Sequence, residues 1–201
     1  MAKSKFLMPT QYLSFTQWNL WLSSKEEYKQ RYFLGIKQKP NKYLEFGKKV
    51  DEAIETGRTD DESLKAISIM IPRYTVMQAI LTPDYKGLTL YGKLDTFNPL
   101  TTAFRDYKTS KNRWTQGQAD SNQQMTFYAL LVFLIHKQLP AAIHIDWIET
   151  KEENGEMKVT GKTQEFETKR SMVDLAKVSK SVIQVAEEIS EHYKKFVNSL
   201  K

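Results

Sequence analysis

The stretch LYGKLDTFNPLTTAFRDYKTSKNR, Leu90–Arg113, places Asp95, Asp106 and Lys108 inside segments that otherwise alternate like half-buried β-strands. Side chains two apart on a strand share a face. Asp106 and Lys108 therefore point the same way, and Asp95 shares its face with Tyr91 and Lys93. If the two strands pair as a hairpin about Asn98–Leu100, Asp95 and Asp106 face one another across the ladder. Two carboxylates that close repel, and one resists ionising unless a cation sits between them. Lys108 brings one positive charge; an oxygen-seeking ion such as Mg²⁺ brings two, and accepts a site with few carboxylates and several waters.

Working outward, residues 74–83, 87–98 and 101–110 read as three strands, with turns at Asp84–Gly87 and Asn98–Leu100. Upstream the apolar period is helical. Residues 14–34 carry aromatics at helical spacing, and Phe46, Val50 and Ile54 recur every four residues before Gly57. A short helix over 61–71 is stopped by Pro72. Downstream, residues 120–138 return to helix, 141–150 and 156–168 read as a strand pair joined at KEENG, and an amphipathic helix closes the chain. This order predicts an α/β fold with a central mixed sheet flanked by helices. It predicts a single domain: a helical opening segment at about 12–35, a core at about 43–170 and a final helix at about 171–199.

More residues can be drawn toward the acidic face. Gly47, Asp51 and Glu55 are spaced four apart and lie in one row of their helix, where Gly47 would clear space for the sheet or a substrate. Gln124 and Tyr128, also four apart, lie on the polar edge of an apolar helix. Lys111, Arg113 and Trp114 form a basic loop with an aromatic just after Lys108, a combination suited to a single nucleic-acid strand. Taken singly, each has a plainer reading: Asp95 ending a strand at a turn, Asp106–Lys108 an exposed ion pair, Asp51 and Glu55 a solvated face, Trp114 packed onto the fold. Trp18 and Trp21 read as core, and His136, His144 and His192 are too scattered for a metal box.

Composition narrows the chemistry. The 201 residues include no cysteine, which removes disulfides, thiolate zinc, iron–sulfur ligation and cysteine nucleophiles. The net charge of +6 leans toward a polyanionic partner. The longest apolar stretch, Phe127–Ile135, is too short to span a bilayer, so no membrane is expected. Without disulfides or a visible signal peptide, a cytoplasmic location is the simplest expectation.

GKLD at Gly92–Asp95, DYKT at Asp106–Thr109 and QMTFY at Gln124–Tyr128 together resemble the RecB-like branch of the PD-(D/E)XK nuclease superfamily, in the right order and on the right element types. FGKKVDEAIE resembles that branch's preceding helix, with Asp51 where the family carries histidine. The resemblance covers roughly residues 12–150. It implies a restriction-endonuclease-like core and a metal-dependent deoxyribonuclease, an exonuclease or end-processing enzyme of repair, recombination or phage replication. It implies one or two Mg²⁺ or Mn²⁺ ions on Asp95 and Asp106, helped by Asp51 and the backbone carbonyl of Tyr107. Lys108 would orient or help deprotonate the attacking water, and Gln124 and Tyr128 would position the phosphate backbone. The substrate would be single- or double-stranded DNA, with a helicase or recombinase as a conceivable partner; the oligomeric state stays open. The iron–sulfur subtype is excluded by the missing cysteines, and a non-catalytic nucleic-acid-binding module on the same fold is the alternative.

Overall fold

A mixed seven-stranded sheet organises the residues, 5–39 and 41–201, that the computed structural model describes. In chain order the elements are β1 (Leu13–Ser14), α1 (Phe15–Ser23), α2 (Lys25–Tyr32), α3 (Lys42–Thr56), α4 (Glu62–Met70), β2 (Val76–Leu81), β3 (Asp84–Tyr85), β4 (Leu88–Phe97), β5 (Phe104–Ser110), α5 (Gln116–Asp120), α6 (Gln123–His136), β6 (Ile143–Glu153), β7 (Glu156–Thr168) and α7 (Met172–Ser199). This is the mixed sheet flanked by helices, with an N-terminal helical segment, that the sequence predicts. The sheet runs β1–β4–β5–β6–β7, with β2 and β3 also on β4. β5 and β6 are parallel, joined through the α5–α6 crossover, whereas β6 and β7 form an antiparallel hairpin. The hairpin turns on Asn154–Gly155, both at positive φ, as a two-residue loop of that handedness requires.

β4 is the strand that creates the site. β2 and β3 run antiparallel along one of its edges in a single continuous register, from Val76↔Phe97 to Tyr85↔Leu88. The opposite edge is shared. β1 pairs in parallel at Leu90 and Tyr91, β5 pairs antiparallel only at Thr96 and Phe97, and the edge between them is open. A fork of this kind in a sheet is where open α/β folds place their ligands.

Two apolar clusters hold the layers. One face of the sheet packs Leu88, Leu90, Leu94 and Phe104 against Trp18 and Trp21 of α1, Met125–Val132 of α6, and Leu175, Val178 and Val182 of α7. On the other face, Tyr107, Ile148 and Val159 meet Phe46, Val50 and Ile54 of α3 and Leu64 and Ile67 of α4. Among the described residues this second cluster has no member from β1, β3 or β4, so the apolar packing stops short of that side of β4. Lys93 and Ile80, paired across β4 and β2, are both exposed there.

Three local readings change. Residues 120–138 are not one helix: the chain breaks at Ser121–Asn122, where Asn122 caps α6 and Arg170 donates to the carbonyls of Ala119 and Asn122. Asp84–Tyr85 is strand, and the turn shrinks to Lys86–Gly87. The two-residue β1 carries no alternation to announce it. Among the described residues no helix is long and apolar enough to cross a membrane.

Candidate active site

Asp95 and Asp106 occupy the first position past the β4–β5 ladder, which ends at Thr96↔Arg105. The strands part there because the carboxylate takes over the pairing: Asp95 Oδ2 accepts the backbone N–H of Tyr107 at 2.7 Å. On the other edge the β2–β4 ladder skips the same place, running from Met77↔Thr96 to Ala79↔Leu94. Gln78, opposite Asp95, has φ +51°, a left-handed conformation inside a strand that costs on the order of 1–3 kcal/mol and tends to persist at functional sites. Asp95 is thus set at a double interruption of the sheet.

From β5, Asp106 and Lys108 face α6. Lys108 Nζ lies 2.6 Å from Asp106 Oδ2 and donates to Gln124 Oε1 at 2.8 Å; Gln124 Nε2 in turn donates to Tyr128 Oη at 3.0 Å. The spacing of four that singled out Gln124 and Tyr128 therefore puts both beside the acids. α6 can approach this closely because Gly92 has no side chain: a Cβ there would collide with Leu131 Cδ1 and come within 3.1 Å of the Tyr128 ring. The steric need falls on Gly92 and not on Gly47, where a Cβ would make only an ordinary 3.4 Å contact with Thr109 Oγ1. α3 brings Asp51 to the other wall. The resulting cleft, about 320 Å³, is lined by Asp51, Asp95, Asp106, Lys108, Gln124 and Tyr128, and also by Tyr12, Tyr91, Lys93 and the start of α1. Larger hollows, such as the 620 Å³ one beneath α3 and the β6–β7 turn, lack this convergence.

The electrostatics are those of an uncompensated acidic site. Burial, then repulsion from Asp106 and Asp51, pushes Asp95 up to about 8 against the opposing pull of the Tyr107 N–H and Lys108. Burial and Asp106 raise Asp51 to about 6. Burial disfavours the Lys108 ammonium, but Asp106, Asp95 and Asp51 outweigh it and hold its pKa above the ordinary lysine value. Lys108 is therefore a cation at neutral pH, placed to balance charge. Tyr128 is raised by burial and by Asp106, so its phenol keeps a proton to donate. Asp106, 3% exposed, has in Oδ2 a buried oxygen without an aligned hydrogen bond, despite the neighbouring ammonium.

Lys111, Arg113 and Trp114 do not reach this cleft. β5 continues its parallel pairing with β6 as far as Ser110↔Glu149, which carries the following loop away from the fork. Lys111 lines a separate hollow with Tyr43 and Phe46, Arg113 Nε donates to Gln164 Oε1 at 2.6 Å, and Trp114 packs partly buried against the larger core. Trp18 and Trp21 are core, as expected. Tyr12, Ser14 and Thr16 line the cleft without any signal in the sequence, because β1 is too short to show a period. Lys93 is visible as a neighbour of Asp95 in the alternation.

The fold is shared with two crystal structures. One is a provisionally assigned exonuclease from Eubacterium rectale, with a TM-score of 0.54 and 13% identity over 94% of this chain and 82% of that one. The other is a phage-related exonuclease from Haemophilus somnus 129PT, also with a TM-score of 0.54 and 13% identity, over 89% and 83%. No family model and no curated protein matches the sequence.

Proposed function

We propose that this cleft is the active site of a metal-dependent nuclease that hydrolyses phosphodiester bonds in DNA, as an exonuclease or end-processing enzyme of repair, recombination or phage replication. The observation that carries the reading is the meeting of Asp95 and Asp106 at the fork between β4 and β5, with Lys108 beside them. Nuclease neighbours of the same fold and the sequence resemblance to the RecB-like branch support it.

The donor set suits a hard divalent ion. Asp106 offers a buried oxygen without an aligned donor, and Asp95 is pushed up by burial and then by repulsion from Asp106 and Asp51; an added cation would occupy the one and offset the other. Among the described residues no group of three His, Asp or Glu side chains is already placed to hold an ion, so water would have to supply much of the shell, as Mg²⁺ accepts. Asp95 and Asp106 would hold it, with Asp51 and the Tyr107 carbonyl as further oxygens. Bound there, the ion would acidify a water and stabilise charge on the phosphoryl oxygens.

The protein's own groups do the rest. Tyr107's N–H fixes the Asp95 carboxylate in one orientation. Lys108, held by Gln124 and Asp106, keeps a positive charge toward the scissile phosphate and orients the attacking water. Tyr128 retains a proton to donate to a phosphate oxygen, with Gln124 steadying its hydroxyl. End-labelled single- and double-stranded DNA, linear and circular, incubated with Mg²⁺, Mn²⁺ or chelator, tests the reading. Lys108→Ala is expected to keep DNA affinity within a few fold while abolishing cleavage. Equal cutting by wild type and variant would refute the role of Lys108. Binding without cutting, unaffected by Asp106→Ala, would make the chain a binding module.

A further inference from the structure

We propose that Tyr12 and Tyr91 form a base-stacking platform, holding a single-stranded stretch of the polynucleotide along the side of β4 on which Lys93 is exposed, with Lys93 contacting the phosphate between the platform and Asp95. The inference rests on the nuclease reading and names the form of nucleic acid the site receives.

The two rings stack with centroids 4.6 Å apart and planes 26° from parallel, yet neither belongs to an apolar cluster. Tyr12 is 36% exposed and Tyr91 is part-exposed, so the stack sits at the surface of the cleft. The fold brings them together from distant parts of the chain: Tyr12 precedes β1, and β1 docks Ser14 against Tyr91 on the shared edge of β4. Tyr91, Lys93 and Asp95 then follow one another on a single face of one strand. At about 3.3 Å per residue the Tyr91 backbone lies roughly 13 Å from that of Asp95, with Lys93 between them on the strand. An aromatic face, an exposed point cation and the acids in a line are the elements that hold a strand by stacking and phosphate contact. On that side of β4 Lys93 and its β2 partner Ile80 are exposed, so a strand can approach the platform and the ammonium from solvent. A duplex cannot use the platform internally, because its base faces are already stacked on one another; an unpaired base can.

The test is binding of a fluorescent oligodeoxynucleotide in chelator, where no cutting is expected, by wild type, Tyr12→Leu, Tyr91→Leu, Tyr91→Phe and Lys93→Ala. Each leucine variant is expected to weaken single-strand binding roughly tenfold or more, and Tyr91→Phe to retain it. Blunt duplex binding is expected to change less than about twofold. An oligonucleotide of abasic residues should bind wild type no better than it binds Tyr91→Leu. Lys93→Ala should make the salt dependence of single-strand binding shallower by a slope of about 0.7. If wild type cuts DNA with Mg²⁺ or Mn²⁺ but the leucine variants bind single strands unchanged, the platform is wrong and the nuclease reading stands. The platform is equally wrong if wild type binds the abasic and normal oligonucleotides alike, a comparison that needs no variant to fold. If wild type neither binds nor cuts, both readings fall.

Discussion

Replacing Asp95 by asparagine should make the metal-free protein more stable at neutral pH. The side chain is half-buried at the fork, and its raised pKa expresses burial together with repulsion from Asp106 and Asp51. The sign follows from linkage: an acid whose folded pKa exceeds its unfolded one contributes stability that is fully present below about pH 4 and is lost as pH rises toward 8. Near pH 7 about three pH units of that window have been crossed. At roughly 1.4 kcal/mol per unit this sets a ceiling of about 4 kcal/mol. Asp51 and Asp106 share the repulsion and relax when it is removed, so about 2 kcal/mol is the expected gain. Asparagine keeps an oxygen for the Tyr107 N–H, so the interruption of the sheet is preserved. Urea unfolding in chelator should therefore show Asp95→Asn ahead of wild type at pH 7.5 and level with it near pH 4.5. Adding Mg²⁺ or Mn²⁺ should stabilise wild type clearly more than the variant, which has lost one of the two carboxylates that would hold the ion. A variant less stable than wild type at pH 7.5 in chelator, or equal metal stabilisation of both proteins, would refute the account of the site.

Two further substitutions test the scaffold. Gly92→Ala forces a Cβ into Leu131 and Tyr128; it should cost about 1–3 kcal/mol in urea unfolding and slow cleavage through Tyr128 and Gln124, and an unchanged midpoint would show that α6 gives way freely. Arg105, 7% exposed, contacts both oxygens of the buried Asp146 at 2.8 and 2.9 Å and Glu165 at 2.6 Å. Arg105→Ala should cost about 3–5 kcal/mol by stranding Asp146, whereas the double change Arg105→Met, Asp146→Leu should recover most of it; equal losses in the two would count against a stranded charge.

The alternation is enough to place Asp106 and Lys108 on one face of β5 and Asp95 beside Tyr91 and Lys93 on β4, because side-chain direction in a strand is a local property with a fixed period of two. It does not make Asp95 and Asp106 a cross-strand pair: the β4–β5 ladder stops at Thr96↔Arg105, and Asp95 instead accepts the Tyr107 N–H where the strands part. The spacing of Gln124 and Tyr128 is legible for the same reason, with the helical period in place of the strand's. Trp114 could not be assigned: a tryptophan beside basic residues has the same local pattern whether it faces solvent or core, and only the direction in which β5 leaves the fork decided it. Nor could a sequence window reveal that Leu13–Ser14 docks on β4 some 77 positions away, or that Gln78 turns left-handed opposite Asp95.

What the sequence determined by itself is therefore the set of chemical groups and the face on which each one stands. What only the tertiary structure decided is where the sheet opens: β1 and β5 divide one edge of β4 and leave a gap between them, into which Asp51, α6 and two tyrosines from distant segments converge. The physical reason is that faces follow from bonded geometry a few residues long, whereas the end of a ladder is set by competition among distant segments for the same edge.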